Sequence, residues 1–139
     1  VGDDESLHRS VRAGDVVLRD GRRVLSSTAF NDSGMKPSVD RAKLRSPELS
    51  KKTITDGVCS LLTAEVRAIS DVIHQETKQP YKVDVLARPI VAGNEQGEPE
   101  NLAHAQVEVQ PGFESPSRFK RLKDSLCRIA EKNWVIDPM

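Results

Sequence analysis

The sequence predicts an α+β fold, in which a small, mostly antiparallel sheet packs against a C-terminal amphipathic helix and one or two short helices. Three patterns lead to this prediction. Residues 103–109 alternate apolar and polar side chains, as a strand with one buried face does. Asp20-Gly21 is a strong hairpin-turn signal between two apolar stretches. Near the C-terminus, apolar side chains recur at the three- and four-residue steps of one helix face: Phe119, Leu122, Leu126 and Ile129.

The first half of the chain predicts a strand, a hairpin and a short helix. We expect a strand over 7–11 and a β-hairpin over 15–28. Ser38 is placed to cap a short helix that ends at Pro47 and directs three apolar side chains inward: Val39, Ala42 and Leu44. The polar residues 46–57 are expected to form either a loop or a mobile flap.

The second half predicts a helix, two strands, a second helix and a last strand. Apolar residues over 58–69 fit helical spacing, which we prefer, although several also alternate as in a strand. A strand over 81–85 is followed by the surface loop 92–101 and then by the alternating strand described above. The amphipathic helix is expected over 117–132, capped by a serine at its start. Residues 134–136 should form a short last strand, because burying Trp134 is favourable.

Length and composition favour one domain over 1–139, in which residues 1–6 are expected to fray. Hydrophobic residues make up 37% of the chain and charged residues 30%, which indicates a modest core under a highly charged surface. No apolar run approaches the roughly 20 residues that span a bilayer, and the acidic, polar start lacks a secretory pattern. We therefore expect a cytoplasmic protein without membrane contact.

The charge balance argues against nucleic acid as a partner. Lys plus Arg and Asp plus Glu both number 21, so the formal net charge is zero. Such a protein lacks the bulk attraction to phosphate backbones that basic proteins use. Five basic side chains of the C-terminal helix are expected to face solvent, with phosphate contact as the alternative: Arg118, Lys120, Arg121, Lys123 and Arg128.

The cysteines and histidines predict neither a disulfide nor a metal site. Cys59 and Cys127 lie far apart, each within an apolar segment, where free cysteines often behave as small buried hydrophobes. The three histidines are scattered, and no C-x-x-C or H-x-x-x-H spacing is present. No glycine-rich phosphate loop or other cofactor motif occurs either, so no cofactor is expected.

Polar side chains inside otherwise apolar segments are the candidates for a functional site, because a buried polar group is costly unless it is paired or used. The plainer interpretation is structural. Asp40 or Glu65 would pair with an arginine, Ser27 and its neighbours would satisfy the hairpin edge, and His104 would face water on its strand.

The functional interpretation brings three arginines and a histidine into one pocket: Arg9, Arg41, Arg67 and His104. Guanidinium groups would hold a phosphate or carboxylate, and His104, as the catalytic candidate, would move a proton near neutral pH. Ser27 and Asp40 complete the candidate ligand-binding residues. Such a pocket predicts an anionic small molecule or a nucleotide as the ligand.

A second layout resembles the R-S-E arrangement of ADP-ribosyltransferases. The residues that carry the likeness are Arg9 on a first strand, the serine-threonine run 26–28 on a second, and Glu108 on a later one. The arginine and the serines are only about one hairpin apart, and Glu108 lies in E-V-Q where the family has E-x-E. This layout is kept as one form of the enzyme hypothesis.

Several segments, LHRSV, SSTAF, SVDRA, EVRAI, VDVLARP, AHA and WV, together resemble a group of short bacterial proteins without an assigned activity. The resemblance extends from Leu7 to Pro138 and implies a bacterial, cytoplasmic, stand-alone domain. Because the sequence contains no catalytic motif of high specificity, we predict a non-enzymatic binding or accessory protein whose partner is another protein. The alternative is a small enzyme or sensor that acts on a phosphate-bearing or nucleotide ligand through the arginine and histidine pocket.

Overall fold

Eight strands and three α-helices make up the fold, and the computed structural model describes all residues, 1–139. The strands are β1 (Ser6–Val11), β2 (Val16–Arg19), β3 (Arg22–Leu25), β4 (Ser38–Arg41), β5 (Gly57–Leu62), β6 (Lys82–Ala87), β7 (His104–Gln110) and β8 (Trp134–Ile136). The helices are α1 (Pro47–Ser50), α2 (Thr63–Arg67) and α3 (Pro116–Ala130). The predicted α+β class is confirmed.

Six strands form one antiparallel sheet in the order β6-β7-β4-β1-β5-β8, and β2 and β3 form a separate hairpin. Alternate residues of the central strands point to one face and are buried there, among them Leu7, Val39, Leu61, Ala105 and Val107. Helix α3 covers this face with the apolar stripe that its sequence predicts: Phe119, Leu122 and Leu126. No helix of the chain combines the length and apolar composition needed to cross a membrane.

Residues 38–41 form a strand, so the predicted helix capped by Ser38 is wrong. Strand β4 lies in the middle of the sheet and pairs with β1 on one side and with β7 on the other. Its single apolar side chain, Val39, is buried in the core. Hydrogen bonding to two neighbouring strands outweighs the weak local preference for a capped helix, as tertiary context often does.

Residues 58–69 are divided between a strand and one helical turn, so the preferred single helix is also wrong. Val58, Cys59 and Leu61 are all fully buried in β5, which means that the strand is covered on both faces. A strand buried on both faces has a nearly continuous apolar run, and such a run cannot be distinguished from a buried helix by periodicity alone. Helix α2 begins where the Thr63 backbone N–H and hydroxyl both donate to the carbonyl oxygen of Glu5.

Residues 1–6, which the sequence predicts to fray, form hydrogen bonds with the segment at the start of α2. Glu5 is buried, and the backbone carbonyl of Asp3 accepts a hydrogen bond from the N–H of Ala64. The segment 46–57 is likewise held in place, because the Lys52 N–H donates to the hydroxyl of Ser10.

Gly57 lets the last strand approach β5, and replacing it with alanine should loosen that contact. A Cβ at this position would lie 2.6 Å from a ring carbon of Trp134 and 2.9 Å from the carbonyl oxygen of Ile136. Overpacking of this kind costs about 1–3 kcal/mol, which urea unfolding would measure. Gly14→Ala is the matched control, because nothing lies within 4 Å of its added Cβ. Equal stability of the two variants would contradict the close approach.

Candidate functional site

A polar cleft of about 710 Å³ lies on the sheet face opposite helix α3. Only three of its lining residues are hydrophobic, and none is Phe, Tyr or Trp. Side chains of β1, β4 and β7 form the floor. Helix α1 with the two lysines after it forms one wall, and the loop at 98–101 forms another.

Strand register explains why the floor is polar. His8 of β1 lies opposite Asp40 of β4, and Asp40 lies opposite His104 of β7. Directly paired residues share a face of a sheet, so these three side chains form a row across the three strands. Their sequence neighbours Leu7, Val39 and Ala105 point to the other face and lie in the core. The sheet thus separates an apolar side under α3 from a polar side that is open to ligands.

Asp40 ties both walls of the cleft to its floor. One carboxylate oxygen accepts a hydrogen bond from the Ser50 hydroxyl at 2.7 Å, and the other accepts from the Asn101 side-chain amide at 2.8 Å. Arg45 lies 3.8 Å from the same carboxylate. Asp40, a predicted ligand-binding residue, therefore borders the cleft and acts there as an anchor for its walls.

His8 is a buried histidine whose Nδ1 atom has no hydrogen-bond partner. The side chain borders the cleft, and the residue is only 8% exposed. A buried polar atom without a partner costs about 1–3 kcal/mol. Burial lowers the pKa of His8, although the nearby Asp40 carboxylate opposes this shift. The neutral ring is therefore favoured at pH 7.

The two walls of the cleft carry opposite charges. Lysine forms only two ion pairs in the structure, Lys43 with Glu5 and Lys120 with Asp124. Three lysines of the cleft are therefore without a carboxylate partner: Lys36, Lys51 and Lys52. The facing loop contributes the carboxylates of Glu98 and Glu100. A ligand with an anionic group and hydroxyl or amino donors would match both walls.

His104 is held in one tautomer by two hydrogen bonds. Its Nδ1 lies 2.8 Å from the carbonyl oxygen of Arg88, and its Nε2 lies 3.0 Å from the hydroxyl oxygen of Ser38. Because a carbonyl oxygen can only accept, Nδ1 carries the ring proton and donates it. Nε2 of the neutral ring is then the acceptor for the Ser38 hydroxyl.

Arg9 borders the cleft, but its hydrogen-bonding capacity is used inside the protein. All five guanidinium N–H groups donate: two to the carbonyl oxygen of Ala29, two to the carboxylate of Asp32 and one to the carbonyl oxygen of Ser38. A guanidinium has five donors and no acceptor. Arg9 therefore has no donor left for a phosphate or carboxylate.

The structure does not bring Arg41 and Arg67 to the cleft. Arg41 donates to both carboxylate oxygens of Glu5, at 2.9 and 3.0 Å. Arg67 donates to Asp3 and Asp84. Each arginine is thus an internal clamp between distant segments, and of the four residues expected in one pocket only Arg9 and His104 line the cleft.

Ser27 and Glu108 also lie outside the cleft and outside the smaller cavity of about 370 Å³ that adjoins it at Arg9. Glu108 pairs with Arg88, and Ser27 begins a 3₁₀ turn that Ser26 caps. Arg9, Ser27 and Glu108 therefore do not meet in the manner that the ADP-ribosyltransferase-like layout requires.

The Glu5–Arg41 pair should make stability depend on acidic pH. Hydrogen bonding to Arg41 lowers the pKa of Glu5 to about 2, against the opposing effect of burial. Because this pKa lies below the ordinary value of 4.5, the pair stabilises the fold above about pH 4.5 and loses that effect as the pH falls towards 2. Unfolding free energies of the wild type and Glu5→Gln should converge over this range. Asp4→Asn, at an exposed position, is the control, and a pH dependence of Glu5→Gln equal to wild type would contradict the pairing.

No group of three or more His, Cys, Asp or Glu side chains is arranged to hold a metal ion. Both cysteines are free and buried, and burial raises the pKa of each thiol to about 12.

The residues that best define the cleft, His8, Lys51 and Lys52, were not predicted. The alternation in LHRSV could have indicated His8, because it places the His8 side chain on the face of the strand that Leu7 and Val11 do not occupy.

Comparison with known proteins found no matching family model, no matching curated protein and no matching solved structure.

Proposed function

We propose that this chain binds a small polar molecule with a phosphate or carboxylate group in the cleft over β1, β4 and β7. The observation that carries the proposal is the cleft of about 710 Å³ itself, whose floor is a row of polar side chains from three neighbouring strands, His8, Asp40 and His104. The cleft lysines without carboxylate partners support it, because an ammonium group can form a charge-assisted hydrogen bond to an anion. The polar lining without Phe, Tyr or Trp favours a ligand recognised by hydrogen bonds and charge.

Thermal unfolding in the presence of anions tests this proposal. Inorganic phosphate, citrate, ribose 5-phosphate and adenosine monophosphate would each be titrated at constant ionic strength. A ligand at about 100 times its dissociation constant stabilises the folded state by about 2.7 kcal/mol. We expect stabilisation by at least one of these anions, and no advantage of the nucleotide over ribose 5-phosphate, because the cleft offers no aromatic surface for the base.

A matched pair of double variants assigns the effect to the cleft. Lys51→Ala with Lys52→Ala removes two charges from the wall and should abolish most of the stabilisation. Lys82→Ala with Lys132→Ala removes two exposed charges outside the lining and should leave it intact. Equal loss in both double variants, or no stabilisation by any anion, would overturn the proposal.

The broader biological setting stays a prediction. We propose an accessory role in a bacterial cytoplasm, with another protein as a further partner. The two free, buried cysteines support a reducing compartment. Three exposed leucines support a contact with another protein: Leu49, which lines the cleft, and Leu44 and Leu102, which are next in sequence to the lining residues Arg45 and Asn101.

A further inference from the structure

Ser38 and His104 lie beside each other on the floor of the cleft. Register places Asp40 opposite His104 and Ser38 opposite Gln106, so Ser38 and His104 are diagonal neighbours on one face of β4 and β7. Both side chains border the cleft. The hydroxyl that donates to Nε2 is therefore on the side where a ligand would lie.

The surroundings of the two residues hold this geometry in place. The Ser38 N–H donates to Asp32 at 2.6 Å, and its carbonyl oxygen accepts from Arg9 at 2.7 Å. The backbone of Ser38 is thus fixed by the part-buried Arg9–Asp32 pair. On the other side, the Arg88 carbonyl oxygen orients the His104 ring through Nδ1. A hydroxyl bonded to a base, and a base oriented by a third group, is the arrangement that activates a serine nucleophile.

We propose that Ser38 is a nucleophile activated by His104, and that the cleft hydrolyses a small carboxylic ester with an anionic group. The substrate class rests on the proposed function, because the lysines that would bind the anion line the same cleft. The nucleophile itself rests only on the Ser38–His104–Arg88 geometry.

The chemical steps balance without a metal or redox partner. The Oγ atom of Ser38 attacks the ester carbonyl carbon while its proton passes to Nε2 of His104. The bond to the alcohol then breaks, and the leaving oxygen takes that proton. Water, deprotonated by Nε2, adds to the acyl carbon and returns Ser38 with its proton. The side-chain amide of Gln106, directly opposite Ser38, is placed to donate to the carbonyl oxygen as it gains charge.

Labelling with a fluorophosphonate tests the nucleophile directly, because the reagent forms an Oγ–P bond and releases fluoride only at an activated serine. Mass spectrometry of the intact protein should show one adduct, mapped to Ser38. Ser38→Ala should abolish it, and His104→Gln should slow it by about 100-fold, the lower range for loss of a general base. Ser70→Ala, at an exposed serine outside the cleft, should label as the wild type does.

The outcomes separate this proposal from the binding proposal. No adduct, an adduct on another serine, or a labelling rate unaffected by His104→Gln would overturn the nucleophile. Ser38→Ala should still be stabilised by the anion that stabilises the wild type. Labelling of Ser38 without any anion binding would overturn the proposed ligand class and leave the nucleophile standing.

Discussion

Replacing Arg9 with alanine should destabilise the fold by about 3 kcal/mol, the lower end of the range for a buried ion pair, because its removal leaves the largely buried Asp32 carboxylate without its partner. The Arg9 side chain is only 11% exposed and crosslinks β1 to Ala29, Asp32 and Ser38. It also lies over the ring of Phe30. A loss of this size is a large part of the 5–15 kcal/mol that stabilises a typical domain, so urea unfolding would detect it readily.

Arg12→Ala is the control for this change. Arg12 is an exposed arginine whose only carboxylate partner, Asp15, is 3.7 Å away, and exposed pairs contribute about 0–1 kcal/mol. Arg9→Lys should recover little of the loss, because an ammonium group has three donors and lacks the planar geometry that binds Asp32 through two bonds. Similar stability of Arg9→Ala and Arg12→Ala would contradict the assignment of Arg9 as an internal clamp.

Acid should weaken the same clamp. Burial alone would raise the pKa of Asp32, but the hydrogen bonds and charge of Arg9 outweigh it and bring that pKa below its usual range. The stabilising effect of a carboxyl with a lowered pKa is complete above its unfolded-state value near 4 and declines as the pH falls below it. The difference between wild type and Arg9→Ala should therefore shrink in acid.

Replacing Leu126 with alanine should cost about 2–5 kcal/mol, because the side chain is fully buried and its removal leaves a cavity between α3 and the sheet. Arg121→Ala on the solvent face of the same helix is the control and should change stability by about 0.5 kcal/mol or less. Lys123 is a poorer control, because it donates to Asn31 and lies over the Phe119 ring. Comparable losses at Leu126 and Arg121 would mean that α3 buries a different face.

The strands and helices predicted correctly are those in which the spacing of apolar side chains along the segment is sufficient to identify the element. The alternation over 103–109 specifies β7, and the spacing of Phe119, Leu122 and Leu126 specifies α3, whatever the rest of the chain does. Strand β4 has four residues and one buried apolar side chain, Val39. Its conformation is determined by β1 and β7, which lie far from it in sequence, so no local pattern could have predicted it.

The candidate site depends still more on distant partners. Two of the polar residues that the sequence singles out in apolar segments, Asp40 and His104, border the cleft. Arginine partners could not be predicted, because Arg41 pairs with Glu5 and Arg67 with Asp3 and Asp84 through contacts between remote segments. These pairings determine which cations are internal and which remain free for a ligand.

Histidine NMR during an anion titration tests the binding cleft most directly. The chain has three histidines, of which His8 and His104 border the cleft, whereas His74 lies beside Tyr81 and Glu114. With ring-¹⁵N-labelled histidine, inorganic phosphate or citrate should shift the His8 and His104 signals along one saturable curve and leave His74 unchanged. Absence of a saturable shift with both anions, or parallel shifts at all three histidines, would contradict binding in the cleft.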